Sequence, residues 1–375
     1  MSARLSPRRR RVLLTADAVG GVWAYALDLA RGLIRAGCEV HLLVLGPAPD
    51  VDQMAQARAC PGLRLKAPAL PLEWMATSAE AIDDASRALA GLVRDIDPDI
   101  VHLSNPALAC SGEIEAPLVA VLHSCMATWW TTLRPATPMP ADLHQRCDRI
   151  RRGLATAEAV IAPSRSFAAL ARATYPAVDP FVVRNGRAAP PAATGNAERS
   201  GVFAAGRLWD EAKGAAVLDA AAARLDRKIT AAGPLRTPGA PASGSIELPH
   251  LHLLGAIGPE EVRRRLARSA VYVSAARYEP FGLGVLEAAQ AGCALVLSDI
   301  PTHRELWNGA ASFFPPDDAA ALAATITSLD RHDQREALAT AARMRAARYD
   351  VGSMIAGTAA LHDWVLAYHA RRGAA

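Results

Sequence analysis

Several things are scarce in this 375-residue chain, and each scarcity narrows the field. No apolar run reaches 18 residues, so nothing in the pattern predicts a membrane-spanning helix. The six cysteines (38, 60, 110, 125, 147 and 293) include no Cys-x-x-Cys and no regular spacing, which argues against zinc and a disulfide framework and for a reducing compartment. A net charge of +4 is too small to mark a nucleic-acid binder, and no base-stacking motif accompanies it. Aromatics make up only 5% of the residues, whereas 51% are hydrophobic and alanine is abundant, which suits many Ala-rich helices. The basic start, MSARLSPRRRR, leads into an apolar stretch broken by Asp17 and without a small-residue cleavage site, so a cytoplasmic protein is expected rather than a secreted one. The basic clusters Arg8–Arg11, 146–152 and 261–269 leave peripheral contact with the inner membrane face open, although charge runs are more often solvated faces. The pattern does not specify an oligomeric state.

What is present alternates. Buried-strand patterns at 11–18, 38–46, 97–105, 116–124 and 155–163 are interleaved with helical ones, the first of which places Trp23, Leu27, Ala30, Leu33 and Ile34 on one face. A Pro/Ala/Gly-rich stretch at 186–200 reads as a linker. The alternation then restarts at 201–208, 226–234, 246–255 and 270–276. This predicts an α/β fold of two doubly wound Rossmann-like domains, residues 1–186 and 187–350, facing each other across a cleft. A last helix at 353–371 is expected to pack back on the first domain. Ligands of such sheets sit at the carboxyl ends of the strands, here facing the cleft.

The densest signal is Arg277–Asp299, RYEPFGLGVLEAAQAGCALVLSD. It reads as a strand end, then a loop holding Glu279, then a helix with Pro280 at its first position, Glu287 on its second turn and Gly292 as its stop. Either glutamate alone fits a helix-terminal or solvated charge. Together, with the amides of Phe281, Gly282 and Leu283 at a helix N-terminus, they suit a polar, hydroxyl-rich or anionic ligand.

The segment EPFGLGVLEAAQAG resembles the E-x7-E signature of retaining glycosyltransferases of the GT-B fold, family 4 type. GRLWDEAKG (206–214) and VVRNG (182–186) resemble further elements of that family in the right order, as do the Gly20–Gly21 loop with its helix and AEAVIAPSRS. The resemblance implies a hexosyl transfer from a nucleoside-diphosphate sugar to a hydroxyl acceptor, by front-face attack with retention. A uridine diphosphate sugar ranks ahead of guanosine diphosphate mannose as co-substrate. It also implies no separate cofactor and no metal. Glu279 would contact the donor sugar, helped by the amides of Phe281 and Gly282. Glu287 would bind the ribose diol, Arg207 and Lys213 the diphosphate, and His123 the reacting centre. Leu283, Gly20 and Gly21 would complete the donor site. Trp129 and Trp130, in a Pro/Thr-rich loop after His123, are expected to shape the acceptor pocket. Three departures from the family pattern stand out: Ala212 widens the Arg–Lys spacing to six, Ser274-Ala275-Ala276 replaces the usual Pro-Ser, and Trp209 replaces a small or aliphatic residue. Two other readings share these features, namely a GT-B sugar-nucleotide epimerase and a non-catalytic nucleotide-sugar-binding subunit.

Overall fold

The computed structural model describes residues 9–189 and 199–373. It holds two parallel sheets flanked by helices, as the alternation predicts. The first has seven strands: β1 (Arg11–Asp17), β2 (Glu39–Leu45), β3 (Leu63–Lys66), β4 (Ile100–Leu103), β5 (Leu118–Val121), β6 (Ala159–Ala162) and β7 (Phe181–Val182), in the order β3-β2-β1-β4-β5-β6-β7. The second has six: β8 (Val202–Ala205), β9 (Ile229–Ala232), β10 (His252–Leu253), β11 (Val271–Ser274), β12 (Ala294–Ser298) and β13 (Ser312–Phe314), in the order β10-β9-β8-β11-β12-β13. Central strands such as β4, β5 and β6 are buried at every position, because helices cover both faces of the sheet. That is why they appear in the sequence as unbroken apolar runs rather than as alternation.

In each sheet the chain first winds outward from the middle strand and then returns to its other side. The order therefore reverses between β1 and β4, and again between β8 and β11. At such a reversal the two flanking loops diverge and leave a crevice. The two crevices face each other, and the site lies there. The region proposed as linker falls largely outside the described residues, which resume at Arg199.

The helix Gly21–Arg35 is buried around most of its circumference, including Tyr25, Leu29 and Gly32, beyond the single stripe its periodicity predicts. The C-terminal helix Val351–Gly373 covers the additional surface. Its Met354, Leu361 and Val365 share a core with Val12, Leu14, Trp23 and Leu27 of the first sheet and helix. A buried polar chain crosses this contact. Tyr25 Oη meets His102 Nε2 at 3.1 Å, and His102 Nδ1 meets His362 Nε2 at 3.0 Å. The His123 ring packs edge-on against Tyr25, with centroids 4.6 Å apart.

Burial disfavours imidazolium, so His123 and His362 are each lowered from the ordinary 6.5 to about 4. Below pH 6.5 the unfolded chain takes up protons that these folded rings refuse. Their contribution to stability is thus complete above 6.5 and is lost as pH falls toward 4, on the order of 3 kcal/mol per ring. Calorimetric melting of a His362→Leu variant between pH 7 and 4 should show a smaller acid-induced fall in Tm than the parent. Equal falls would mean that His362 is not held neutral.

Candidate active site

A cavity of about 390 Å³ opens between the two sheets. Val19–Val22, His123 and Ser124 come from the first side, and Gly206–Leu208, Lys213, Ser274, Ala275 and the run Tyr278–Val285 from the second. Of the residues singled out in the sequence, the cavity brings together Gly20, Gly21, His123, Arg207, Lys213, Glu279, Phe281, Gly282 and Leu283. Glu287, Trp129 and Trp130 are not among its lining residues.

Two glycines allow close approaches here, one between the lobes and one within the second. Gly21 opens its helix directly opposite the second lobe, and a Cβ there would come within 3.0 Å of Leu283 Cδ1. Gly214 has φ +65°, and a Cβ on it would lie 2.0 Å from the Ala275 carbonyl oxygen. Asp17 shapes the Gly20 loop by accepting from the amides of Val19 (2.9 Å) and Gly20 (3.1 Å), so it acts as a local cap. Burial raises its pKa against the pull of those amides and of Arg207.

The six-residue spacing between Arg207 and Lys213 is absorbed locally. Glu211–Lys213 form a single 3-10 turn capped by Asp210, whose carboxylate accepts from the Ala212 amide at 3.0 Å. The extra Ala212 turns into the core, and its carbonyl accepts from Arg277 at 2.8 Å. Lys213 still reaches the cavity, where its Nζ lies 2.8 Å from Glu279 Oε2. Burial alone would raise the Glu279 pKa, but the Lys213 ammonium outweighs it and holds the carboxyl below its usual value. His303, absent from the sequence-based site, also acts electrostatically on Glu279, and its own Nε2 is buried without a partner. Arg207 pairs with Asp210 at 2.9 Å, with its guanidinium over the Trp209 ring.

The helix that follows Glu279 spans Leu283–Ala291, with Gly282 (φ +87°) ahead of it and Gly292 (φ +90°) at its end. Pro280 precedes the helix rather than opening it, which corrects the sequence reading. Gly282 forces the chain into the left-handed region and delays the first helical turn, while the Pro280 carbonyl accepts from Ser164 Oγ across the cleft at 2.7 Å. The Phe281 amide faces the Glu279 carboxylate at 3.5 Å.

Glu287 lies on the second turn, as expected, and is paired with a residue the sequence did not flag. Arg187 Nε meets Glu287 at 2.9 Å, and the same guanidinium pairs with Asp28 on the first helix. Asp28 and Glu287 together outweigh the burial that would otherwise lower the Arg187 pKa.

Trp129 and Trp130 sit on a helix, Met126–Leu133, that the sequence reads as loop. Trp129 packs against the first core and donates to Asp210 across the cleft at 3.2 Å, while Trp130 donates to the Thr137 carbonyl. Three Asp-x-Asp triplets occur in the sequence, at 50–52, 95–97 and 97–99. None lines the cavity; Asp50 caps the helix Val51–Arg58, and Asp99 accepts from the Arg11 amide at the amino end of β1.

With the geometry in place, comparison with known proteins assigns the chain. Residues 19–187 match the family model "Glycosyltransferase Family 4", and 199–332 match "Glycosyl transferases group 1". The chain belongs to the family 4-type glycosyltransferases of the GT-B fold. It is 27% identical over 363 residues to the phosphatidyl-myo-inositol mannosyltransferase of Mycolicibacterium smegmatis, covering 89% of this chain and 87% of that protein. Among solved structures it is similar to the sucrose-phosphate synthase of Thermosynechococcus elongatus, with TM-score 0.78 and 19% identity over 96% of this chain and 100% of that one. It is also similar to Anabaena HepE solved with UDP-glucose, with TM-score 0.71 and 18% identity over 94% and 98% of the two chains.

The Lys213–Glu279 contact yields a stability test. Lys213→Met removes the only ammonium bonded to a largely buried carboxylate among the described residues, so the variant should lose about 3 kcal/mol in denaturant unfolding at pH 7. Lowering the pH until Glu279 is protonated should recover most of that loss, and an equal deficit at all pH values would count against the pairing.

Proposed function

We propose that this glycosyltransferase moves a hexosyl group from a nucleoside-diphosphate sugar to a hydroxyl acceptor with retention, without a metal. The 187–350 lobe holds the donor and the 1–186 lobe the acceptor. The observation that carries this reading is the convergence of Arg207, Lys213, Glu279 and His123 on one cleft between two sheets. Two cations suit the charge that develops on a departing diphosphate, and they supply that stabilisation already positioned. Glu279 offers a carboxylate to the sugar hydroxyls, next to the amides at the start of the Leu283–Ala291 helix.

Both sides of the cleft contribute to positioning. In front-face attack the leaving phosphate oxygen receives the acceptor's proton, so no side chain has to become a nucleophile. The protein's part is orientation, exclusion of water and electrostatics. His123, half-buried and held neutral with its Nε2 buried and unpartnered, can donate to or accept from a sugar hydroxyl without bringing a charge beside the anomeric carbon. Glu287 serves the ribose diol on this reading, so its pair with Arg187 must loosen when the nucleotide enters, leaving Arg187 to Asp28. A uridine base is favoured, in line with the UDP-glucose held by the HepE neighbour.

Titration calorimetry and nucleotide-release assays test the assignment. Glu287→Ala should weaken binding of the free nucleoside diphosphate at least tenfold. Glu279→Ala should leave that binding near the parent value and lower kcat by 100-fold or more. Arg207→Ala should lower kcat/KM by roughly 3 kcal/mol of transition-state stabilisation. Parent-like binding and turnover in all three variants would place the site elsewhere. Replacing Trp129 and Trp130 with Ala should raise acceptor KM and leave donor affinity alone, and an unchanged acceptor KM would remove them from the acceptor pocket.

A further inference from the structure

Beside the donor cavity, at the carboxyl edge of the first sheet, lies a second group of polar side chains. Asp17 ends β1 and Asn105 follows β4 by two residues, and these strands are neighbours in the sheet. Glu73, from the segment between β3 and the helix Ala79–Ile96, lies over them: its carboxyl interacts with both Asp17 and the Asn105 amide. Asn105 is only 4% exposed and, apart from the loose approach of the Glu73 carboxyl, its Oδ1 and Nδ2 are buried without a hydrogen-bond partner. An amide left so costs stability unless a ligand or water completes it. The Trp74 ring, next to Glu73, packs against Trp209 of the second lobe with centroids 6.1 Å apart and planes tilted by 32°. The Trp209 indole N–H is a further buried donor without a partner. Asp17 links this corner to the donor cavity, since its carboxylate also feels Arg207.

We propose that Asp17, Glu73, Asn105 and the Trp74–Trp209 pair form a subsite for a neutral, polyhydroxylated acceptor, such as a sugar or cyclitol, with Glu73 as its positioning residue. The proposal rests on the glycosyl-transfer reading above. A buried amide short of hydrogen bonds, a carboxyl and aromatic faces are the groups that recognise vicinal hydroxyls and the apolar face of a ring. Burial, with Asp17 close by, pushes Glu73 up to about 7, so near neutrality this carboxyl can either donate to a hydroxyl or accept from one. Two acids at one edge disfavour a phosphorylated acceptor. Arg146, the neighbouring cation, reaches the main-chain carbonyl of Glu73 at 3.5 Å and the Asp142 carboxylate at 3.6 Å. Arg207 is engaged by Asp210 on the donor side.

The experiment first selects, by calorimetry, the tightest donor among UDP-glucose, UDP-galactose and GDP-mannose. Nucleoside diphosphate release is then followed with glucose, methyl α-glucoside or myo-inositol, and in parallel with glucose 6-phosphate and myo-inositol 1-phosphate. At least one neutral probe should stimulate release tenfold or more over donor alone and exceed its phosphorylated counterpart. Glu73→Gln should raise the KM for that probe at least tenfold, with kcat within about threefold and nucleotide Kd unchanged. If Glu73→Gln does not fold, Trp74→Leu carries the same comparison. Stimulation by a phosphorylated probe in preference to the neutral ones, silence of every neutral probe in a nucleotide-binding protein, or an unmoved KM would each overturn the subsite. Failure to bind any of the three donors would instead remove the glycosyl-transfer reading, and this proposal with it.

Discussion

A carboxylate withdrawn from water must be neutralised by something near it, and this constraint organises the cleft. Both glutamates of the E-x7-E segment meet it with cations from other parts of the chain. Lys213 comes from the turn after β8, and Arg187 from the junction between the lobes. Because Arg187 also holds Asp28, the second glutamate ties the first helix to the helix Leu283–Ala291. Further ties run the same way. Ser164 bonds the Pro280 carbonyl, and Glu305 accepts from the Arg165 and Ser166 amides at the start of a first-lobe helix, where a negative charge is favoured. The two lobes are therefore set in register by polar contacts ringing the cavity together with apolar packing, in which Ala212 and Tyr278 join the first lobe's core.

The segment 206–214 shows how a spacing change is tolerated when both ends are fixed. Its glycine must remain where Ala275 crowds it, and its lysine must reach Glu279. The added residue is accommodated by tightening the intervening chain into a 3-10 turn, with the small side chain turned inward and its backbone groups bonded to Asp210 and Arg277. A larger side chain at position 212 would have no room there, since Ala212 is 1% exposed.

How far the sequence reveals this arrangement depends on how local each signal is. The central strands are legible as apolar runs, and the cleft helix by its glycines and glutamates. The outer strands β3, β7 and β13 are not legible: they are two to four residues long, and LRLK at 63–66 offers only a short alternation. The helix of Trp129 and Trp130 hides behind a Pro/Thr-rich composition, although Cys125 caps it. Arg187, Asn105, Glu73 and His303 carry no motif that could mark them. Their meaning depends on which strand ends the topology makes neighbours, and a linear pattern does not contain that information. The Asp-x-Asp triplets are the converse case, a familiar local pattern that the fold spends on a helix cap and a strand edge.

The long terminal helix bears on how the protein is made. Met354, Leu361 and Val365 complete the core around Val12 and Leu27, and His362 closes a polar chain begun by Tyr25. The lobe that is synthesised earlier thus cannot be finished until Val351–Gly373 has left the ribosome, whereas the intervening lobe has all its strands beforehand. Completion of the earlier unit has to wait for the later one, so a nascent chain stalled before Val351 would present an unfilled apolar groove along the helix Gly21–Arg35.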